Sequence, residues 1–263
     1  MTKSLLPTSP HSAIICGQTG CGKTVFVLDL LEGPYRGVFR HIVILCPTVM
    51  HNKTYKDRPW IWGDPEVYVI DPGERLHDCL RALYQVFQGE PCLFLIDDCA
   101  ATKALTKKKD MLSELAFSGR HAGASVWVLT QKFNAVGKDL REQTKWVALF
   151  HCKDRDSFED CLRENDVIPT REERAAVRQL LAETKHAKLV LKTDSPLCFF
   201  DQNKVFSPIV SQFIPQIGVD ETKWTILVLI ILSLWLAMGN VLFVWKMRKL
   251  AKKRSEIRVG PPV

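Results

Sequence analysis

The sequence predicts an α/β domain with a mainly parallel sheet, followed by one C-terminal transmembrane helix. Three observations lead to this fold class. Apolar runs rich in β-branched residues alternate with helical stretches, as in a sheet covered on both faces. A glycine-rich loop joins the first apolar run to the first helix, and 22 consecutive residues near the C-terminus carry no charge. We expect a domain over 1–192, a linker over 193–223, a membrane span over 224–245 and a basic tail over 246–263.

The apolar runs place the strands, and the stretches between them place the helices. Seven strands are predicted: SAIICGQ (12–18), HIVILCP (41–47), VYVID (67–71), PCLFLIDDC (91–99), SVWVLTQ (125–131), KWVALFHC (145–152) and AKLVLK (187–192). Helices are expected over 23–33, 73–88, 103–119, 154–165 and 170–184, with a short helix before residue 145. Residues 48–64 are rich in Trp and Pro and are predicted to form a loop.

The net charge of +7 is concentrated at the C-terminal end. Seven bases and one acid follow Trp245, out of 36 basic and 29 acidic residues in the chain. The first 245 residues therefore hold 29 bases and 28 acids and are nearly neutral. The isoelectric point thus gives no argument for DNA binding, and the excess charge belongs to the membrane flank.

The nine cysteines indicate a reducing compartment. Their number is odd, no CxxC pair occurs, and several lie in apolar runs, where a reduced Cys behaves as a small buried hydrophobe. Free thiols are therefore expected, with zinc binding as the weaker alternative. The N-terminus lacks an apolar run of the kind found in signal peptides, so we expect no cleaved leader.

Residues 224–245 are long enough to span a bilayer. As a helix they would cover roughly 33 Å, against a hydrocarbon core of about 30 Å. Trp224 and Trp245 stand at the two ends, where interfacial tryptophans belong. The positive-inside rule places the basic tail in the cytoplasm and the large domain outside. A domain with nine free cysteines instead needs the reducing cytosol, so we expect a single-pass anchor with the large domain on the cytosolic side.

The loop GQTGCGKT fits the phosphate-binding pattern G-x-x-x-x-G-K-[ST] in its proper setting, after a strand and before a helix. Glycines let the backbone wrap phosphates, Lys23 reaches the β- and γ-phosphates, and the Thr24 hydroxyl binds Mg²⁺. The predicted nucleotide-binding residues are Gly17, Gln18, Thr19, Gly20, Cys21, Gly22, Lys23 and Thr24.

Two acids end the strand LFLIDD (93–98), which predicts a Walker B motif. Asp97 would hold Mg²⁺, directly or through water, and Asp98 would orient or polarise the attacking water. The alternative, a helix N-cap, explains one Asp but not both. Gln131 ends the next strand, where an amide can contact the γ-phosphate or the lytic water; a solvent-facing residue is the alternative.

Two further sets of basic residues are weaker candidates for functional roles. Arg120 and Arg141 are expected near loops at the active edge of the sheet, and either could reach a neighbour's nucleotide as an arginine finger. An ordinary surface role is the alternative for each. Lys107, Lys108 and Lys109 could grip a phosphate backbone, although a lysine run is more often a solvated face.

The motifs GQTGCGKT, LFLIDDC, GRHAG and SVWVLTQKFN…KDLREQ, in this order and spacing, resemble those of genome-packaging ATPases. These enzymes occur in large DNA viruses and virus-like transposons of Polinton, virophage and poxvirus types, within the HerA–FtsK clan. The resemblance covers about residues 10–165. It implies a RecA-like P-loop core, ATP and Mg²⁺, a homo-oligomeric ring, double-stranded DNA as the transported polymer, and a capsid or portal as partner. The C-terminal span departs from the family pattern. For a chain of this family it implies an anchor in a host or virion membrane, with the ATPase domain in the cytosol or the virion interior.

Other functions remain open at this point. A virion assembly or secretion ATPase of the zonula-occludens-toxin-like type also joins a P-loop domain to one span. A nucleotide-gated membrane scaffold without catalysis is a second alternative, although the intact Lys23, Thr24, Asp97 and Asp98 argue against it. A small-molecule kinase fits less well, because the chain lacks an arginine-rich lid signature.

Overall fold

The computed structural model describes residues 6–99, 111–165, 168 and 170–193, together with the backbone of 197–200 and 204–206. All of these lie in the unit Met1–Ser211. The predicted span, the basic tail and the lysine run at 107–109 lie outside the described residues. Within the described ranges, no helix is both long enough and apolar enough to cross a membrane.

Nine strands form one sheet in the described part of the chain, in the order β3-β2-β4-β5-β1-β6-β7-β8-β9. The strands are β1 (Ser12–Cys16), β2 (His41–Leu45), β3 (Val67–Ile70), β4 (Cys92–Ile96), β5 (Ala124–Thr130), β6 (Thr144–Phe150), β7 (Lys188–Lys192), β8 (Leu197–Phe200) and β9 (Lys204–Phe206). From β3 to β6 every neighbouring pair is parallel. The pairs from β6 to β9 are antiparallel. The predicted α/β fold with a mainly parallel sheet is confirmed.

The helices connect the strands and cover the sheet. They are α1 (Lys23–Glu32), α2 (Lys53–Lys56), α3 (Pro59–Gly63), α4 (Leu76–Val86), α5 (Met111–Ser118), α6 (Lys138–Gln143), α7 (Arg155–Glu164) and α8 (Arg171–Glu183). Capping explains where the last two begin. The Asp154 side chain accepts a hydrogen bond from the Ser157 N–H at the start of α7, and Thr170 and Glu173 form a capping box at the start of α8.

The strands are apolar on both sides because both faces of the sheet are buried. Ile14 packs in one core cluster together with Val43, and Ile15 packs in the other together with Trp127. Successive side chains of a strand point to opposite faces, so a strand buried on both faces has no polar alternation. All five residues of β1 are buried, as expected for a strand in the middle of the sheet.

Residues 48–64 were predicted to form a loop, and this prediction is wrong. They contain the short helices α2 and α3. The Asn52 side chain accepts a hydrogen bond from the Thr54 N–H at the start of α2, and Pro59 begins α3, where its missing N–H costs nothing. Helices of four and five residues are too short for an apolar period to show in the sequence.

The stretch assigned to the linker contains β8 and β9. Pro196 and the prolines after residue 206 are typical of a linker, yet Leu197–Phe200 pairs with β7 and Lys204–Phe206 pairs with β8. The pairing covers the edge of β7, whose unpaired backbone groups would otherwise face solvent. Regular structure therefore extends beyond residue 192.

Eight cysteines have described side chains and all are free thiols, seven of them buried. No group of three or more His, Cys, Asp or Glu side chains in the described residues could hold a metal ion. Seven of the eight described cysteines are therefore buried, as expected for thiols that lie in apolar runs.

Candidate functional site

The sheet order brings the predicted site residues to one edge. Strand β1 lies between β5 and β6, and β4 lies on the other side of β5. Because these strands are parallel, their carboxyl ends meet at the same edge, where ligands of open α/β sheets bind. In register, Cys16 of β1 stands opposite Thr130 of β5, and Ile96 of β4 stands opposite Val128. The segments that follow these three strands therefore converge.

The glycine-rich loop is held by both strands that flank β1. The Gly17 N–H donates to the Thr130 carbonyl at 3.1 Å, and the Gln18 N–H donates to the His151 carbonyl at 3.2 Å. A Cβ on Gly17 would lie 2.6 Å from the Phe150 Cβ, closer than real Cβ contacts come. Position 17 therefore requires glycine for steric reasons, because the backbone passes so close to β6.

The loop ends at the start of α1 in a form suited to an anion. Gly22, the N-cap residue, has φ = 101°, a left-handed conformation that glycine adopts without steric cost. Among the described residues no side chain caps this helix, and its first turn contains no acid. The free N–H groups and the positive end of the helix dipole therefore remain available to phosphate oxygens.

Lys23 is directed into the loop. Its Nζ donates hydrogen bonds to the carbonyl oxygens of Gly17, at 2.8 Å, and Gln18, at 3.0 Å. The ammonium group is thus held among the backbone groups that would surround a phosphate. The prediction from sequence placed this lysine in the same role, and the geometry is consistent with it.

Asp97 lies at the carboxyl end of β4 and is only 5% exposed. Its Oδ2 accepts two hydrogen bonds, from the Thr24 hydroxyl at 2.9 Å and from the Tyr55 hydroxyl at 2.7 Å. Burial raises the pKa of Asp97 above its usual range, and the two donated hydrogen bonds act in the opposite direction. The structure therefore joins the two predicted metal-binding residues directly.

Asp98 faces the cavity in an unusual backbone conformation. It is exposed, with φ = 55°, a left-handed value that Asp tolerates better than most residues. Its Oδ2 accepts a hydrogen bond from the Thr48 hydroxyl at 3.3 Å. The turn directs the two neighbouring acids differently, so that Asp97 is buried while Asp98 remains accessible.

Gln131 follows β5, the strand between the phosphate loop and the two acids. It is exposed and lines the same cavity as Lys23, Thr24, Asp97 and Asp98. The cavity has a volume of about 350 Å³, and its rim also includes Thr19, Gly20, Gly22, Val25, Thr48, Asn52, Thr54, Leu129, Thr130 and His186. A nucleoside triphosphate has the size and charge for such a cleft.

Sequence reasoning missed several contributors to this site, among them Thr48, Tyr55 and His186. Thr48 could have been found, because it follows the strand 41–47 at the same sheet edge. Tyr55 could not, because its contact with Asp97 depends on the fold of 48–64. His186 lies in the turn before β7 with φ = 63°, and its Nδ1 is 3.0 Å from the Cys21 carbonyl. It reaches the cavity only because β7 runs antiparallel to its neighbour.

The two candidate arginine fingers do not line this cavity. Arg120 lies just before β5, at the amino ends of the strands, so the prediction that it lies at the active edge is wrong. Arg141 lies on α6 directly before β6, also at the amino ends of the strands, so the same prediction is wrong for it. It forms an ion pair with Glu164 and lies over the Phe133 ring, 5.1 Å from its centre. A finger acts on the nucleotide of a neighbouring subunit, so both assignments remain predictions.

The fold and the cavity together define a class of protein, the P-loop nucleoside triphosphatases in which one strand separates the phosphate-loop strand from the acid-bearing strand. Within that class, this chain belongs to the Poxvirus A32 protein family, whose model matches residues 1–205. The resemblance to poxvirus-type packaging ATPases is thereby confirmed. No curated protein sequence matches the chain.

Solved structures with the same fold include the genome packaging NTPase B204 from Sulfolobus turreted icosahedral virus 2. Its complex with AMPPCP superimposes with a TM-score of 0.57 at 12% identity, covering 74% of this chain and 97% of B204. Its complex with ATP-gammaS gives a TM-score of 0.54 at 14% identity, covering 74% and 98%. The pCW3 conjugation coupling protein TcpA, with ATPgS, gives 0.50 at 14% identity, covering 79% and 64%.

Proposed function

We propose that this chain is the ATPase of a genome-packaging motor, which hydrolyses ATP to move double-stranded DNA into a viral capsid. The observation that carries the proposal is the cavity that joins the phosphate loop, Asp97, Asp98 and Gln131 in a chain of the Poxvirus A32 family. The fold shared with B204, a genome packaging NTPase solved with AMPPCP and ATP-gammaS, supports it.

The donor atoms around Thr24 fit Mg²⁺. The Thr24 hydroxyl and the Asp97 carboxylate are hard oxygen ligands, and they already lie 2.9 Å apart. Magnesium is commonly bound by one or two protein oxygens together with substrate phosphates, so the lack of a larger acidic cluster in the described residues is no obstacle. When bound, the ion would neutralise charge that develops on the phosphates.

Each side chain then has a distinct part in hydrolysis. Lys23 and the free N–H groups at the start of α1 bind the β- and γ-phosphates. Asp98, accessible in the cavity, accepts a hydrogen bond from the attacking water and orients it. Gln131 follows the strand between the phosphate loop and the two acids, and its amide contacts the same water or the γ-phosphate.

The assembled motor would have further components. We expect a homo-oligomeric ring in which Arg120 or Arg141 of one subunit completes the site of the next, with Lys107, Lys108 and Lys109 as candidates for contact with the DNA backbone. A capsid or portal protein would receive the ring. These assignments derive from the family and from the sequence.

DNA-dependent turnover tests the proposal. The full-length chain in detergent is expected to hydrolyse ATP several-fold faster with duplex DNA than without it. The stimulation should decrease as salt rises, because contacts with the phosphate backbone release counterions. Lys23→Ala provides the background rate. If DNA does not change the rate of ATP hydrolysis at any salt concentration, an assembly or secretion ATPase would instead be favoured.

We also propose that residues 224–245 anchor the motor in a bilayer. The basis is the uncharged stretch with tryptophans at both ends and bases beyond it. The full-length chain is expected to float with lipid vesicles and to remain bound in carbonate at high pH. A chain ending at residue 222 should stay in the soluble fraction. Release of the full-length chain by carbonate would show that it lies on the surface and does not span.

A further inference from the structure

Residue Tyr55, in the segment 48–64, contacts the candidate metal site from outside the phosphate loop. Helix α2 directs Tyr55 into the protein, where the side chain is fully buried. Its hydroxyl donates to Asp97 Oδ2 at 2.7 Å, and no motif in the sequence includes it. A tyrosine hydroxyl carries its proton near neutral pH, so it acts as the donor in this hydrogen bond.

Tyr55 is held firmly by the segment that carries it. The Trp62 Nε1–H donates to the Tyr55 carbonyl at 3.0 Å. The same segment is fixed to the last turn of α1, where Arg58 pairs with Asp29 at 2.6 Å and also with Glu32. The hydroxyl is therefore positioned by contacts that do not involve the nucleotide cavity.

A carboxylate that assists a metal ion must be oriented as well as close. Asp97 is joined to its strand by a short side chain whose carboxylate plane can rotate. Partners that hydrogen-bond to a metal-ligating group fix that rotation, and removing one typically lowers metal affinity 10- to 100-fold. The Thr24 hydroxyl can bind the ion through its oxygen and still donate to Asp97, but a single donor leaves the carboxylate plane free to rotate about that hydrogen bond. A second donor removes this freedom.

We propose that Tyr55 is a positioning residue for the magnesium site, whose hydroxyl fixes the Asp97 carboxylate in the orientation needed to bind Mg²⁺ with the nucleotide. The inference rests on the proposed function, because it requires that the cavity bind a magnesium nucleotide. Tyr55 touches neither nucleotide nor metal in this scheme; it acts through Asp97.

Binding of a fluorescent ATP analogue tests this on the full-length chain in detergent. Tyr55→Phe removes the hydroxyl and keeps the ring. Tyr35→Phe is a matched control, because Tyr35 is also buried and its hydroxyl donates to the Pro7 carbonyl at 2.8 Å, away from the cavity. Affinity is measured in EDTA and over a Mg²⁺ titration, with thermal unfolding followed in parallel.

In EDTA we expect all three chains to bind the analogue equally. Tyr55→Phe should need about 10- to 100-fold more Mg²⁺ for half-maximal enhancement of binding. Tyr35→Phe should behave as wild type, and saturating Mg²⁺ should restore tight binding by Tyr55→Phe. In an Asp97→Asn background, Tyr55→Phe should cause no further change in the Mg²⁺ requirement, because both substitutions remove one interaction.

An unchanged Mg²⁺ requirement in Tyr55→Phe would overturn the inference. So would an equal loss of binding with and without Mg²⁺, which would make Tyr55 a residue of the fold alone. Independent, additive effects of Tyr55→Phe and Asp97→Asn would also overturn it. If the wild-type chain binds no analogue under any condition, the proposed function fails, and this inference fails with it.

Discussion

Lys23→Ala is expected to abolish ATP hydrolysis, lowering kcat by at least about 100-fold, the loss typical when one donor to a developing charge is removed. Lys23 supplies the positive charge inside the phosphate loop, where its Nζ lies 2.8 Å from the Gly17 carbonyl. Alanine leaves the loop backbone in place but removes the contact with the β- and γ-phosphates. Steady-state turnover at saturating ATP measures the effect.

Lys138→Ala provides the matched control for this substitution. Lys138 lies on α6, its side chain is 73% exposed, and it pairs with Glu142 one turn away. Such exposed pairs contribute little to stability, so turnover should be unchanged. Normal turnover by Lys23→Ala would mean that the catalytic site lies elsewhere in the chain.

Asp98→Asn is expected to separate binding from hydrolysis. Asparagine has the shape of aspartate and tolerates the left-handed backbone that Asp98 adopts, so the turn should be preserved. It cannot accept a proton as a carboxylate does, and kcat should fall by about 100-fold or more. ATP affinity with Mg²⁺ should remain near that of wild type, as measured by equilibrium binding.

Two other substitutions make the result specific. Asp156→Asn changes an exposed carboxylate in the first turn of α7 and should leave both quantities unchanged. Asp97→Asn should instead weaken binding in a manner that depends on Mg²⁺. If Asp98→Asn also lost binding in the same manner, Asp98 would belong to the metal site and the assignment of a water-orienting role would be wrong.

The seven strands from β1 to β7 could be predicted because each is a mainly apolar run. Most of them are buried on both faces, whereas β3 at the edge is only partly buried. The phosphate loop and the two acids could be predicted as well, because their chemistry needs particular residues at fixed positions directly after those strands. Parallel pairing then placed Gln131 between them. These features depend on local sequence and on the rule that parallel strands end together.

What the sequence could not supply depends on contacts between distant segments. Tyr55 meets Asp97 across 42 residues, and His186 meets the loop carbonyl of Cys21 across 165. Neither pairing leaves a local pattern. The position of Arg120 was mistaken for a related reason, since the motif GRHAG precedes β5 and so lies at the opposite edge from the residues that follow the strand. The strands β8 and β9 were missed because they are only four and three residues long and prolines lie on either side of them.

The central position of β1 has a consequence for how the chain is made. β1 is synthesised before the other described strands, but both of its partners, β5 and β6, follow more than 100 residues later. Strands β2, β3 and β4 can pair among themselves before that time, whereas β1 has no neighbour until β5 is complete. The N–H groups of Gly17 and Gln18 in the phosphate loop also donate to the carbonyl oxygens of Thr130 and His151. A nascent chain therefore carries the phosphate loop through the synthesis of more than 100 further residues without the backbone partners that shape it. The ability to bind nucleotide is acquired only when the middle of the sheet closes around β1.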